Sequence, residues 1–104
     1  RKPGGIAEKV IGLGVSANHH NMKITFKLFA GLSAYLPSDA TRNSTEIDVQ
    51  LGETVHQVID RFNVPREEVH LVMVNGIYIS PEQRDLSEIR AGDTLAIWPP
   101  VAGG

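Results

Sequence analysis

Gly52-Glu53-Thr54-Val55-His56-Gln57-Val58-Ile59-Asp60-Arg61-Phe62 decides the fold. Thr54 followed three residues later by Gln57 makes a capping box, in which each side chain satisfies a backbone donor that the first helical turn would leave orphaned. Val55, Val58, Ile59 and Phe62 fall at i, i+3, i+4 and i+7, a single apolar stripe along one side of a helix. The helix ends near Asn63, because Pro65 disfavours the helical region for Val64. His56 lies off the stripe and reads as a solvated side chain. A helix with one apolar stripe needs a flat apolar surface to cover, and the flanking sequence has the period of strands.

Upstream, Ile24, Phe26 and Leu28 alternate with Lys23, Thr25 and Lys27, the period of a strand with one buried face. Phe29 then falls on the opposite face. Ala30–Leu36 predicts a short helical turn, broken by Pro37-Ser38-Asp39. Thr45, Ile47, Val49 and Leu51 alternate with Glu46, Asp48 and Gln50, a second strand that forms an opening hairpin with the first.

Downstream, Val69–Val74 is apolar enough for a central strand. Asn75-Gly76 predicts a two-residue hairpin, since a type I′ turn needs φ > 0 at both positions. Ile77–Ile79 is the return strand, Pro81–Asp85 a loop, Leu86–Ile89 one helical turn, Ala91-Gly92-Asp93 another turn, and Thr94–Trp98 the last strand. The order β-β-α-β-β-β predicts an α+β fold, a mixed sheet of four to five strands with one main helix on one face. The other face is left to solvent or a partner. Phe29 and Trp98 are candidates for it, Trp98 because strand parity opposes it to Leu95 and Ile97. A core position is the alternative for Trp98.

Length and composition suit one domain with one modest core: 104 residues, 41% hydrophobic and 21% charged. No apolar run approaches the roughly 18 residues that would read as a membrane span. There is no cysteine, so there is no disulfide framework, thiolate metal site or cysteine nucleophile, and a reducing cytoplasm fits. The net charge of −2 hides an asymmetry. Residues 1–21 carry Arg1, Lys2 and Lys9 against Glu8, a net of +2, whereas residues 22–104 carry seven Lys/Arg against eleven Asp/Glu, a net of −4. An acidic body argues against nucleic acid and for a basic partner.

Residues 1–21 read as a flexible extension. They hold Gly4, Gly5, Gly12 and Gly14, which weaken any helix over Ile6–Val15. His19-His20 lacks further clustered ligands and reads as solvated loop. Gly12-Leu13-Gly14 lacks the strand and third glycine of a dinucleotide fingerprint. Glu67-Glu68, Asp85, Glu88 and Asp93 read as a solvated acidic surface. No metal site is expected, and no constellation of side chains makes an independent active site. The distinctive chemical group is the terminal carboxylate. Two successive terminal glycines arise by chance at roughly 0.5% of chain ends, which sets Gly103-Gly104 apart. Without side chains they can extend, take any φ and enter a channel too narrow for a Cβ. Pro99 and Pro100 stiffen the exit from the last strand and cannot donate to a ladder, so the tail 99–104 is expected to be mobile and to point away from the body. A frayed end with no role is the alternative.

Met22-Lys23-Ile24-Thr25-Phe26-Lys27-Leu28-Phe29-Ala30-Gly31-Leu32, the Val74-Asn75-Gly76 hairpin, Ala91-Gly92-Asp93-Thr94-Leu95 and above all Trp98-Pro99-Pro100-Val101-Ala102-Gly103-Gly104 resemble the MoaD/ThiS family of ubiquitin-like sulfur carriers, nearest its MoaD branch. The resemblance covers residues 22–104 and implies a β-grasp (ubiquitin-like) fold. It implies that an ATP-dependent adenylyltransferase of the MoeB/ThiF type converts the Gly104 carboxylate to an acyl-adenylate. A sulfur donor then gives a thiocarboxylate, with no cofactor bound to the carrier itself. For a MoaD-type protein it further implies that the tail enters the large subunit of molybdopterin synthase, of the MoaE type, and supplies sulfur for molybdenum cofactor biosynthesis. Gly104 would carry the sulfur and Gly103 would let the tail thread. Phe29, Trp98, Pro99, Pro100, Val101 and Ala102 would dock the partner. The alternatives are ThiS-like delivery to the thiazole of thiamine, a protein modifier amide-linked to lysines through Gly104, and a ubiquitin-like binding module whose tail does nothing.

Overall fold

A computed structural model describes residues 21–101, so residues 1–20 and the tail residues Ala102, Gly103 and Gly104 lie outside the described part. The expectation of a flexible extension over 1–21 therefore falls almost entirely outside it. Five strands form one sheet: β1 (Asn21–Leu28), β2 (Ser44–Gln50), β3 (Leu71–Val74), β4 (Ile77–Tyr78) and β5 (Thr94–Trp98), in the order β2-β1-β5-β3-β4. β1 and β5 run parallel, and every other pairing is antiparallel. The helix α1 (Val55–Arg61) lies between β2 and β3 in the chain. This is the mixed sheet and single main helix of the expected β-grasp fold.

The two periodicities set the core. Ile24, Phe26 and Leu28 of β1 share a face with Ile47 and Val49 of β2, Val72 of β3 and Leu95 and Ile97 of β5, and all are buried. Val55, Val58 and Ile59 of α1 join this cluster, with Phe62 packed against it. The Phe26 and Phe62 rings lie 4.8 Å apart at 31°. Each such side chain contributes about 1.5–3 kcal/mol on burial, so this one cluster is the main source of stability.

A seven-residue helix is too short to persist alone, and its ends are held accordingly. The Gln57 amide donates to Thr54 Oγ1 at 3.3 Å, and the Thr54 amide donates to Gln57 Oε1 at 2.9 Å, which is the expected capping box. The Val55 and His56 amides donate to the carbonyls of Ser87 and Arg84, each at 3.0 Å. At the other end Asn63 takes φ 63°, the left-handed conformation that stops a helix. The β3–β4 turn has φ 54° at Asn75 and 82° at Gly76, as a type I′ hairpin requires.

Four local expectations are corrected. β3 is an interior strand as expected, flanked by β5 and β4, but it begins at Leu71 rather than Val69. Ile79 falls outside β4, although its amide still bonds the Val72 carbonyl. Leu86–Ile89 does not form a helical turn of its own: Leu86 closes the turn that begins at Gln83, after which Glu88 bridges Thr54 and the Ile89 amide bonds the Glu53 carbonyl. Leu51 is 69% exposed, as the chain leaves the sheet at Gln50. The short 3-10 turn Ala30–Tyr35 matches the expected turn, and two more form at Arg66–Glu68 and Pro81–Gln83.

Candidate functional site at the root of the tail

The tail leaves the body at the end of β5, held on both sides. The last residues of β5 pair with β1 on one flank, where the Phe29 amide donates to the Ile97 carbonyl at 3.1 Å. On the other flank the His70 amide donates to the Trp98 carbonyl at 3.0 Å. Beyond Trp98 come Pro99 and Pro100, which have no amide hydrogen to extend either ladder. Pro99 is half-buried, Pro100 exposed and Val101 76% exposed, so the chain passes into solvent within three residues.

Phe29 and Trp98 meet here. Trp98 stands on the face opposite Leu95 and Ile97, half-buried rather than in the core. Phe29 is the residue after β1, extended at φ −104° and ψ 161°, and Ala30 at φ 53° then turns the chain away. The two rings stack at 4.6 Å and 5° between planes, a parallel arrangement that contributes on the order of 1 kcal/mol and fixes both side chains. Beside them runs an open groove of about 610 Å³ lined by Ala30, Gly31, Glu68, His70, Leu71, Trp98, Pro99, Pro100 and Val101. Its floor is apolar and its rim carries one carboxylate and one imidazole, a surface suited to an apolar protein segment. Of the residues expected to dock a partner, Phe29, Trp98, Pro99, Pro100 and Val101 are brought together; Ala102, Gly103 and Gly104 lie outside the described residues. Two other concavities, about 400 Å³ beside Gln50–Glu53 and about 660 Å³ beside Lys23 and Glu46, are lined mainly by polar side chains and hold no aromatic ring.

Several polar side chains find partners across the fold that the sequence did not announce. His56 is buried, contrary to the solvated position expected, because the 79–90 segment folds over α1; its Nδ1 lies 2.8 Å from Asp85 Oδ1. Asp85 is thus a partner rather than only a solvated charge. Asp93 accepts from Asn75 Nδ2 at 2.8 Å and from the Arg90 amide at 2.9 Å, tying two turns together. Arg66 reaches both oxygens of Asp60, at 3.2 and 2.8 Å, and this hydrogen bond, with the Arg66 charge, holds the Asp60 carboxyl below its ordinary range against a smaller desolvation effect. Arg84 is buried with its guanidinium among backbone carbonyls. Only a residue's neighbours across the fold distinguish such a side chain from a solvated one, so sequence periodicity gave no signal for His56 or Arg84. Among the described residues no group of His, Asp and Glu is placed to hold a metal ion, and no helix is long and apolar enough to cross a membrane.

The groove and the exit of the tail can be compared with known proteins. The model of the ThiS family matches residues 28–104, which include every residue of the groove and the tail. Small archaeal modifier protein 1 of Haloferax volcanii is 28% identical over 77% of this chain and 99% of its own, with a TM-score of 0.56. A protein assigned as molybdopterin converting factor subunit 1 of Pyrococcus furiosus is 26% identical over 77% of this chain and 99% of its own, with a TM-score of 0.55. Small archaeal modifier protein 1 of Methanosarcina acetivorans, 21% identical over 82% and 99% with a TM-score of 0.55, shares the fold. No curated protein matches significantly. With three quarters of the chain matched by one family and the β-grasp sheet in common with these structures, the chain belongs to the ThiS family.

Proposed function

We propose that the chain is a sulfur carrier whose Gly104 carboxylate is adenylated and then converted to a thiocarboxylate. The observation that carries this reading is the site itself: β5 is pinned on both flanks up to Trp98 and then released through Pro99-Pro100 beside the stacked Phe29 and Trp98 and the groove next to them. A carboxylate is a poor electrophile. Attack of a Gly104 oxygen on the α-phosphorus of ATP expels pyrophosphate and leaves a mixed anhydride. A sulfide-equivalent nucleophile from the sulfur donor then attacks the acyl carbon and expels AMP, so that one oxygen is replaced by one sulfur. The thiocarboxylate is anionic and nucleophilic at neutral pH. The chain supplies the reacting end and a docking surface. The adenylyltransferase, of the MoeB/ThiF type, supplies the catalytic groups and binds the ATP.

The sulfur is destined, in this proposal, for molybdopterin, with the chain acting as the small subunit beside a MoaE-type large subunit. Likeness to a protein assigned as molybdopterin converting factor subunit 1 supports that acceptor. A second reading, amide linkage of Gly104 to lysines of other proteins, is favoured by the likeness to small archaeal modifier protein 1. Both use the same adenylate and differ in the final nucleophile.

The test is the intact mass of the chain after incubation with an adenylyltransferase of this type, ATP and a sulfur donor. A gain of one sulfur in place of one oxygen, lost on deleting Gly104, is expected. The thiocarboxylated chain is then offered to a MoaE-type subunit with its pterin precursor, and separately to a cell extract. Sulfur consumed by the first supports the molybdopterin assignment, whereas Gly104-dependent high-mass conjugates in the second support the modifier. An unchanged mass with active enzyme removes the sulfur carrier, and the absence of Gly104-dependent conjugates as well removes the modifier.

A further inference from the structure

Arg84 is 4% exposed, yet no carboxylate pairs with it among the described residues. Its guanidinium is spread instead over three backbone carbonyls. Nε donates to Ile79 O at 3.1 Å, one Nη to His70 O at 3.2 Å, and the other to Val69 O at a long 3.5 Å. A guanidinium stays charged in proteins, and burying it without a counter-charge is unfavourable unless its planar fork of donors is well matched. Here the fork bridges the segment after β4 to the segment that leads into β3.

The position of those carbonyls gives the arrangement its consequence. His70, whose carbonyl receives one arm of Arg84, sends its own amide to the Trp98 carbonyl, the bond that ends the β5 ladder before the prolines. His70 also lines the groove, next to Leu71, which pairs in register with Trp98. The backbone carbonyl of Arg84 accepts from the His56 amide at the start of α1. One buried residue therefore joins the helix, the entrance of β3 and the root of the tail.

We propose that Arg84 is a positioning residue for the tail, fixing the direction in which β5 releases Pro99-Pro100 by holding the Val69–His70 strand entrance against Trp98. This rests on the reading of the tail as the reacting end. A root held in one direction presents the terminus to a partner in most molecules. A loosened root presents it in a fraction of them and weakens apparent affinity by that fraction, leaving the chemistry of the bound state as it was.

Two variants of the full chain test this, Arg84→Met, which keeps the stem and removes the fork, and Arg84→Lys, which keeps the charge without the fork. Each is assayed by adenylation-dependent pyrophosphate exchange with a MoeB/ThiF-type enzyme, and by amide hydrogen exchange without any partner. For R84M the expected result is a KM for the carrier raised about tenfold at nearly constant kcat, with faster exchange at the His70 amide and unchanged exchange at Ile24 and Ile47. R84K is expected to fall between R84M and wild type in both. Faster exchange at His70 with an unaltered KM would make Arg84 a purely structural tie and overturn the proposal, as would a loss confined to kcat. If R84M does not fold, R84K decides, and wild-type KM and exchange in R84K overturn the proposal. If wild type itself is not adenylated, the sulfur-carrier reading fails separately. His70 exchange and the near-ultraviolet signal of Trp98 in the variants then decide the positioning role, and wild-type values of both overturn it.

Discussion

The two faces of the sheet are built to different specifications. Facing α1, Phe26, Leu28, Val49, Val72, Leu95 and Ile97 are completely buried, and what each position requires is volume. The opposite face is divided. Its β1–β2 half carries solvated charge, with Lys23 opposite Asp48 in register and their side chains 3.0 Å apart. Its β5–β3 half, at the tail, carries the stacked Phe29 and Trp98. The face toward the helix makes the domain fold. The half-face at the tail is where large aromatic surface remains, beside the point at which the chain leaves the sheet. On the proposed reading a stabilising residue and a docking residue are both large aromatics, and the side of the sheet separates them.

That contrast gives graded expectations. Phe26→Ala opens a cavity in the full core and is expected to lower unfolding free energy by about 3–5 kcal/mol, measured by urea denaturation; a loss below about 1 kcal/mol would show the core to be far less specific than its burial implies. Trp98→Ala removes a half-buried ring, so the stability loss should be about 1–2 kcal/mol. Binding to the activating enzyme, followed by titration calorimetry on folded protein, should weaken by at least about tenfold. If Trp98→Ala were as destabilising as Phe26→Ala and left binding alone, the separation of the two faces would fail.

The smallest effect is expected on the outside of α1. The Asp60 carboxyl is held below its ordinary value by the Arg66 hydrogen bond and charge. Its ion pair therefore stabilises the fold above the unfolded carboxyl range, and that stabilisation is lost as pH falls through the lower folded value. Asp60 and Arg66 are both well exposed, so solvent and salt screen the pair and Asp60→Asn should cost far less than Trp98→Ala. The difference from wild type should vanish in acid and shrink at high salt, as read from denaturation midpoints across pH. A difference that persisted in acid would mean Asp60 acts through something other than its charge.

The strands, the helix and the hairpin were legible because each is dictated locally. Thr54 and Gln57 cap the helix between themselves, Asn75-Gly76 can take the φ values of its turn, and the alternation over Lys23–Leu28 admits one buried face. The placement of Phe29 and Trp98 on the free face was legible for the same reason, since strand parity is a property of neighbours in sequence. The 79–90 segment was legible only in part. A loop and one helical turn were expected there, with His56 in solvent; instead a 3-10 turn forms at Pro81–Gln83, and Asp85, itself still exposed, pairs with a buried His56.

The sequence by itself determined the order of elements, which side of each strand is apolar, the residues that stop each element, and the diglycine end with its two prolines. These follow from backbone sterics and periodicity acting over a few residues. Only the tertiary structure decided that β5 lies between β1 and β3, that Phe29 and Trp98 stack, that His56 is buried and that the Arg84 guanidinium rests on the carbonyls beside the tail. Each of these joins residues far apart in sequence, and the burial or pairing of a polar side chain is set by which distant backbone groups the fold brings to it.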